Sequence, residues 1–112
     1  MKDGPSATEF AAMMAARRAR IDFLKVEGPR LLRAGDARRA VEACRGWAEL
    51  DLGNGDAWRC LGQAQEANGQ HQDALNSLRK AREYKPQDRS IDAAIRQVER
   101  NIVGEFQHRY GR

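Results

Sequence analysis

Apolar residues recur along this chain at three- and four-residue intervals, and each run stops near a glycine or proline. That spacing is the signature of amphipathic helices rather than strands. Phe10, Met13, Met14, Ile21 and Leu24 follow one side of a first helix, and Ser6 stands three residues before Glu9, the spacing of a capping box. The helix is predicted from Ser6 to about Glu27. A kink or break is expected at Gly28-Pro29, because a proline inside a helix removes one hydrogen bond and clashes with the preceding turn. The pair is expected to separate two helices, with a hinge as the alternative.

Further along, Asp56 can cap a helix running to Asn68, with Gly69 supplying the left-handed residue that closes its end. Trp58, Leu61, Gly62 and Gln65 cluster on one face of this helix. Trp58 and Leu61 are expected to be knobs in the core, and Gly62 a notch for another helix. A second helix is predicted over Gln72–Tyr84, with Ala74, Leu75, Leu78 and Ala81 as its apolar stripe, and Pro86 stops it. A last helix begins near Asp88 or Ser90. Ile91, Ile95, Val98, Ile102 and Phe106 form its stripe, while Arg96, Glu99 and Arg100 occupy other faces.

The chain also matches itself. At a shift of 34, Gly28 falls on Gly62, Gly35 on Gly69, Ala40 on Ala74, Leu24 on Trp58 and Cys44 on Leu78. Small residues meet small ones where close packing or a left-handed turn demands them. Trp58, Leu61, Gly62, Gly69, Ala74, Leu78, Ala81 and Pro86 together resemble the tetratricopeptide repeat signature; Gln65 departs from it where an aromatic residue is usual. Residues 55–88 make the clear unit. Residues 21–54 resemble a degenerate copy, in which Gly28, Leu31, Gly35, Ala40 and Cys44 fit while Trp47 and Leu52 replace a small residue and the closing proline. The predicted organisation is one all-α domain: residues 1–5 disordered, an N-terminal helix over 6–27 that overlaps the degenerate unit, the repeat at 55–88 and a capping helix over 89–112. The resemblance implies antiparallel helix pairs in a right-handed superhelical array, with a concave groove that holds a segment of another protein.

Composition fits a small helical domain. The chain has 112 residues, 41% of them hydrophobic, with ten glycines and only three prolines. The net charge of +4 is spread evenly, since each half of the chain holds ten basic and eight acidic residues. Nucleic-acid binding through Arg17, Arg18, Arg20, Arg38 and Arg39 is therefore disfavoured, because no aromatic platform interleaves these residues and the charge is not gathered into a stripe. Cys44 and Cys60 lack the partners of a zinc site or a disulfide scaffold and are expected to be small buried side chains in a reduced, cytoplasmic protein. No signal-like or membrane-spanning run is visible. His71 and His108 sit in polar surroundings and are expected to be solvated. With no converging nucleophile, acid-base pair, phosphate loop or metal-ligand set, no enzymatic activity, metal or cofactor is expected.

A protein or peptide partner is the remaining expectation. With the buried face of the 55–88 unit's first helix turned inward, Arg59, Gln63 and Glu66 project outward. The shift of 34 adds Lys25 and Arg33, and the closing helix contributes Gln97, Arg100 and Asn101. A clamp for a C-terminal carboxylate is excluded: Lys25 is present, but Pro29, Cys60, Ser90 and Ala94 stand where such a clamp has amide or basic side chains. The second expectation is self-association through Phe10, Met13, Met14 and Ile21. Packing of that stripe on the chain's own first unit, and hence a monomer, is preferred because so short a chain needs the buried area.

Overall fold

A computed structural model describes residues 4–111; part of the expected disordered stretch, residues 1–3, lies outside them. The described residues form an all-α helical repeat of five helices: α1 (Ala7–Arg33), α2 (Ala37–Leu50), α3 (Gly55–Ala67), α4 (His71–Tyr84) and α5 (Arg89–Tyr110). Each helix packs on the next. In addition α1 touches α3 and α3 touches α5, whereas α2 and α4 do not meet. The chain is therefore a two-layer array in which α1, α3 and α5 lie side by side and the second helices splay apart.

Local chemistry sets the helix ends. Ser6 and Glu9 make the expected capping box at the start of α1. The predicted cap of α3 is corrected: Asn54, not Asp56, accepts the first-turn amides, with 2.9 Å from the Asp56 N–H, and Asp56 moves into the first turn, where its carboxylate still faces the positive end of the helix. The two interhelix turns are copies of one another. Gly35 and Gly69 have φ of 82° and 79°. Asp36 N–H donates to the Leu31 carbonyl at 3.0 Å, and Gln70 N–H to the Gln65 carbonyl at 2.8 Å, the closing bond of a Schellman turn in both repeats.

The expected break at Gly28-Pro29 is absent, and the first helix does not stop near Glu27. α1 runs unbroken to Arg33 with Pro29 inside it. Proline costs a helix about 3 kcal/mol. Here Gly28 and Leu31 are buried against the neighbouring helices on either side of it, so packing holds the segment helical. The glycines show how close that packing is. A Cβ on Gly28 would lie 2.8 Å from Cys44 Sγ and 3.1 Å from Cys60 Sγ, and one on Gly62 would lie 2.7 Å from Leu78 Cγ. The matched pairs of the sequence repeat, Gly28 with Cys44 and Gly62 with Leu78, are thus the same helix crossing made twice.

The core has two parts. Ile21, Leu24 and Leu31 join Val41, Cys44, Trp47, Cys60 and Leu61 in the first; Leu75 and Leu78 join Ile91, Ile95 and Val98 in the second. Trp58 is only half-buried and packs against both, a correction to its expected place inside one core. Lys80 Nζ lies 5.8 Å from its ring centroid.

Two further expectations are revised. Cys44 and Cys60 are buried, as foreseen, but they are joined in a disulfide with Cα atoms 5.6 Å apart, so no free cysteine remains. The stripe Phe10, Met13 and Met14 does not pack on the first unit: these residues are 54%, 54% and 42% exposed. The reason is length. At 1.5 Å per residue, α1 is about 40 Å long and α2 about 21 Å, so the first half of α1 overhangs its partner. Among the described residues, the one hydrogen bond that ties that half to another helix runs from the Arg17 guanidinium to the Leu50 carbonyl. The other end repeats this arrangement: Ile91, Ile95 and Val98 are buried, whereas Phe106 overhangs and is exposed. No helix among the described residues is long and apolar enough to cross a membrane.

Candidate functional site

The candidate site is the outer surface of the α1, α3 and α5 layer. Period 3.6 on α3 decides which residues reach it: Leu61, Gly62 and Gln65 are buried, and Arg59, Gln63 and Glu66 fall on the other side. Gln65 is held from behind, its Oε1 accepting from the Ser77 hydroxyl at 2.6 Å. A buried, hydrogen-bonded glutamine thus occupies the position where the tetratricopeptide signature usually has an aromatic residue.

Arg59 lies at the α3–α5 boundary. Its guanidinium donates to Ser90 Oγ at 3.0 Å and lies 3.5 Å from both Asp88 and Asp56. Lys85 joins the cluster, 2.7 Å from Asp56 and 3.7 Å from Asp88. The Asp56 hydrogen bond raises the Lys85 ammonium above the usual lysine range, and the Ser90 hydroxyl and amide help hold the Asp88 carboxylate below its own. Arg59 is therefore partly engaged within the fold, tying the start of α5 to α3.

Between α1 and α3 opens a cavity of about 150 Å³, lined by Pro29, Leu32, Trp47, Asp56, Arg59, Cys60 and Gln63. Pro29, Leu32, Trp47 and Cys60 give it an apolar part, and Asp56, Arg59 and Gln63 a polar one. Gln63 is exposed.

The third neighbourhood spans α3, α4 and α5. His71 lies between two carboxylates, with Nδ1 2.5 Å from Glu66 and Nε2 2.8 Å from Glu105. The Asn101 amide donates to the other Glu66 oxygen, Gln97 donates to Asn101 at 3.1 Å, and Arg100 donates to Gln97 at 2.7 Å. The His71 imidazolium is favoured above the ordinary histidine range, chiefly by its hydrogen bond to Glu66 and further by Glu105, against the opposing effect of burial. This corrects the expectation of a solvated His71: its side chain is 16% exposed.

Of the residues expected on sequence grounds, the structure brings Glu66, Gln97, Arg100 and Asn101 into one chain of hydrogen bonds, and Arg59 and Gln63 into one cavity. Lys25 is exposed and pairs with Asp22 at 3.4 Å, and Arg33 is exposed in the last turn of α1. No hydrogen bond among the described residues joins either to the others. The His71–Glu105 and Arg59–Asp88 contacts were missed, because each joins residues of different elements far apart in sequence and no spacing within one helix shows it.

With this geometry in place, the chain can be set beside known proteins. No family model matches it. A stretch of 70 residues, 62% of the chain, is 37% identical to the DnaJ homolog subfamily C member 3 homolog of Dictyostelium discoideum. That stretch spans 14% of the Dictyostelium protein.

Proposed function

We propose that the chain is a non-catalytic, tetratricopeptide-like module that holds a segment of another protein on the α1, α3 and α5 face and so acts as an adaptor or scaffold. The observation that carries this reading is the layer arrangement: first helices side by side and second helices apart, which leaves a face that carries polar side chains and a cavity of mixed lining between α1 and α3. The partial similarity to the DnaJ homolog supports a helical interaction module in coarse outline. The face offers directional donors and acceptors in Gln63, Gln97 and Arg100, the cavity between α1 and α3, and flanking cations in Lys25 and Arg33.

The test compares partner capture by the native chain, by a Gln63→Glu/Arg100→Glu variant and by an Arg79→Glu control on α4, each matched for helicity. These substitutions leave the Arg59 network intact. A protein retained by the native chain and the control but reduced at least tenfold on the groove variant supports the reading. Equal retention by all three places the contact elsewhere.

A second reading, an assembly subunit that associates through α1, is favoured by the exposure of Phe10, Met13 and Met14. A sedimentation mass that rises with concentration, and no longer does so in Met13→Glu/Met14→Glu, supports it. A constant mass of 12.6 kDa excludes it.

A further inference from the structure

We propose that the Cys44–Cys60 bond is a redox lock on the junction between the two repeats, closed in an oxidising compartment and opened by thiol attack on Cys60. The cross-link joins the second helix of one repeat to the first helix of the next, 16 residues along the chain. It lies where three helices meet, since Gly28 of α1 seats its backbone directly over both sulfurs. Two free thiols need van der Waals separation in place of a covalent bond, and Gly28 leaves no room on its side. Reduction therefore loosens the junction of α1, α2 and α3: the sulfurs separate away from Gly28, with Cys60 turning toward the cavity it lines.

The two sulfurs are not equally accessible. Cys44 is fully buried in apolar surroundings. Cys60 lines the cavity between α1 and α3 and so has a route to solvent. Opening proceeds by attack of a low-molecular-weight thiolate on the Cys60 sulfur. The sulfur–sulfur bond breaks, Cys44 departs as thiolate and takes up a proton, and Cys60 carries a mixed disulfide. A second thiolate then releases Cys60 as a thiol and leaves the small molecule as its disulfide. Closure runs the other way: the two cysteine thiols give up two electrons and two protons to a low-molecular-weight disulfide such as oxidised glutathione, which becomes two thiols. A buried cross-link of this kind belongs to compartments that sustain disulfides, which sets this inference against the cytoplasmic location expected from sequence.

The test reads the junction itself rather than partner binding, so its failure is separate from failure of the groove reading. The folded chain, incubated with oxidised glutathione, is titrated for thiols and weighed intact. It is then treated with graded reduced glutathione, quenched with iodoacetamide and mapped by peptide mass. The expected result is no free thiol at the start, a first glutathione adduct on Cys60, and a melting temperature that falls by roughly 10 °C on full reduction, the order expected for opening a loop of this length. A Cys44→Ala/Cys60→Ala variant should melt near the reduced chain and ignore reductant. Two free thiols after oxidation, or a melting temperature that reductant does not move, overturns the lock. A first adduct on Cys44 overturns the route.

Discussion

Gly62 and Trp58 mark opposite outcomes for a residue read from its neighbours in sequence. Gly62 was legible because the packing that requires it occurs twice, and the repeat placed it against Gly28. Gly62→Ala gains about 1 kcal/mol of helix propensity but drives a methyl into Leu78, where overpacking costs about 1 to 3 kcal/mol. Urea unfolding should show net destabilisation, smaller in a Leu78→Ala background because the pair is coupled. Trp58 was legible as a structural residue but not as a seam between two cores. Trp58→Ala is expected to cost about 2 to 3 kcal/mol, below the range of a fully buried Trp, since among the described residues it is the one partly buried hydrophobic that packs against both clusters. Its indole Nε1–H is buried without a hydrogen-bond partner, so Trp58→Phe removes an unsatisfied donor and should cost less than about 1.5 kcal/mol by the same measurement.

At the scale of elements, helix starts and stops were largely visible in sequence, because caps, left-handed glycines and prolines act over a few residues. Asn54 displaced Asp56 as the α3 cap by two positions, a choice between neighbouring side chains that only backbone geometry makes. Pro29 was misread for a different reason: the local penalty is real, but packing of Gly28 and Leu31 on both flanks exceeds it. The apolar stripe that seats α5 on the repeat was legible, but its polar clasp was not. His71 reaches Glu66 across a turn and Glu105 across a helix interface, and its folded pKa is raised. A raised pKa means stability that is fully present below the unfolded value of about 6.5 and is lost as pH rises through the folded value. The melting temperature should therefore be higher at pH 6 than at pH 8, and His71→Gln should flatten that difference. An imidazole titration by NMR with its midpoint at or below the unfolded value would contradict the clasp.

Across the whole molecule, α1 and α5 outrun the helices they pack on, giving a body 69 Å long. Among the described residues, deletion through residue 16 removes no buried side chain and spares the Arg17 bond to Leu50. It should shift the melting temperature by less than about 3 °C in calorimetry, whereas Ile95→Ala, which opens the second core, should cost about 2 to 4 kcal/mol. The sequence by itself determined most of the helix ends, the repeat of 34 and the apolar stripes of α4 and α5, because these follow from periodicity and from turn chemistry acting within a few residues. The tertiary structure alone decided that Cys44 and Cys60 are bonded, that Arg59 and His71 are engaged within the fold, and that Phe10, Met13 and Met14 stand free of the core. Those facts depend on which side chains of different helices meet, and on how far one helix extends past its neighbour, and neither quantity is carried by the spacing of residues along a single helix.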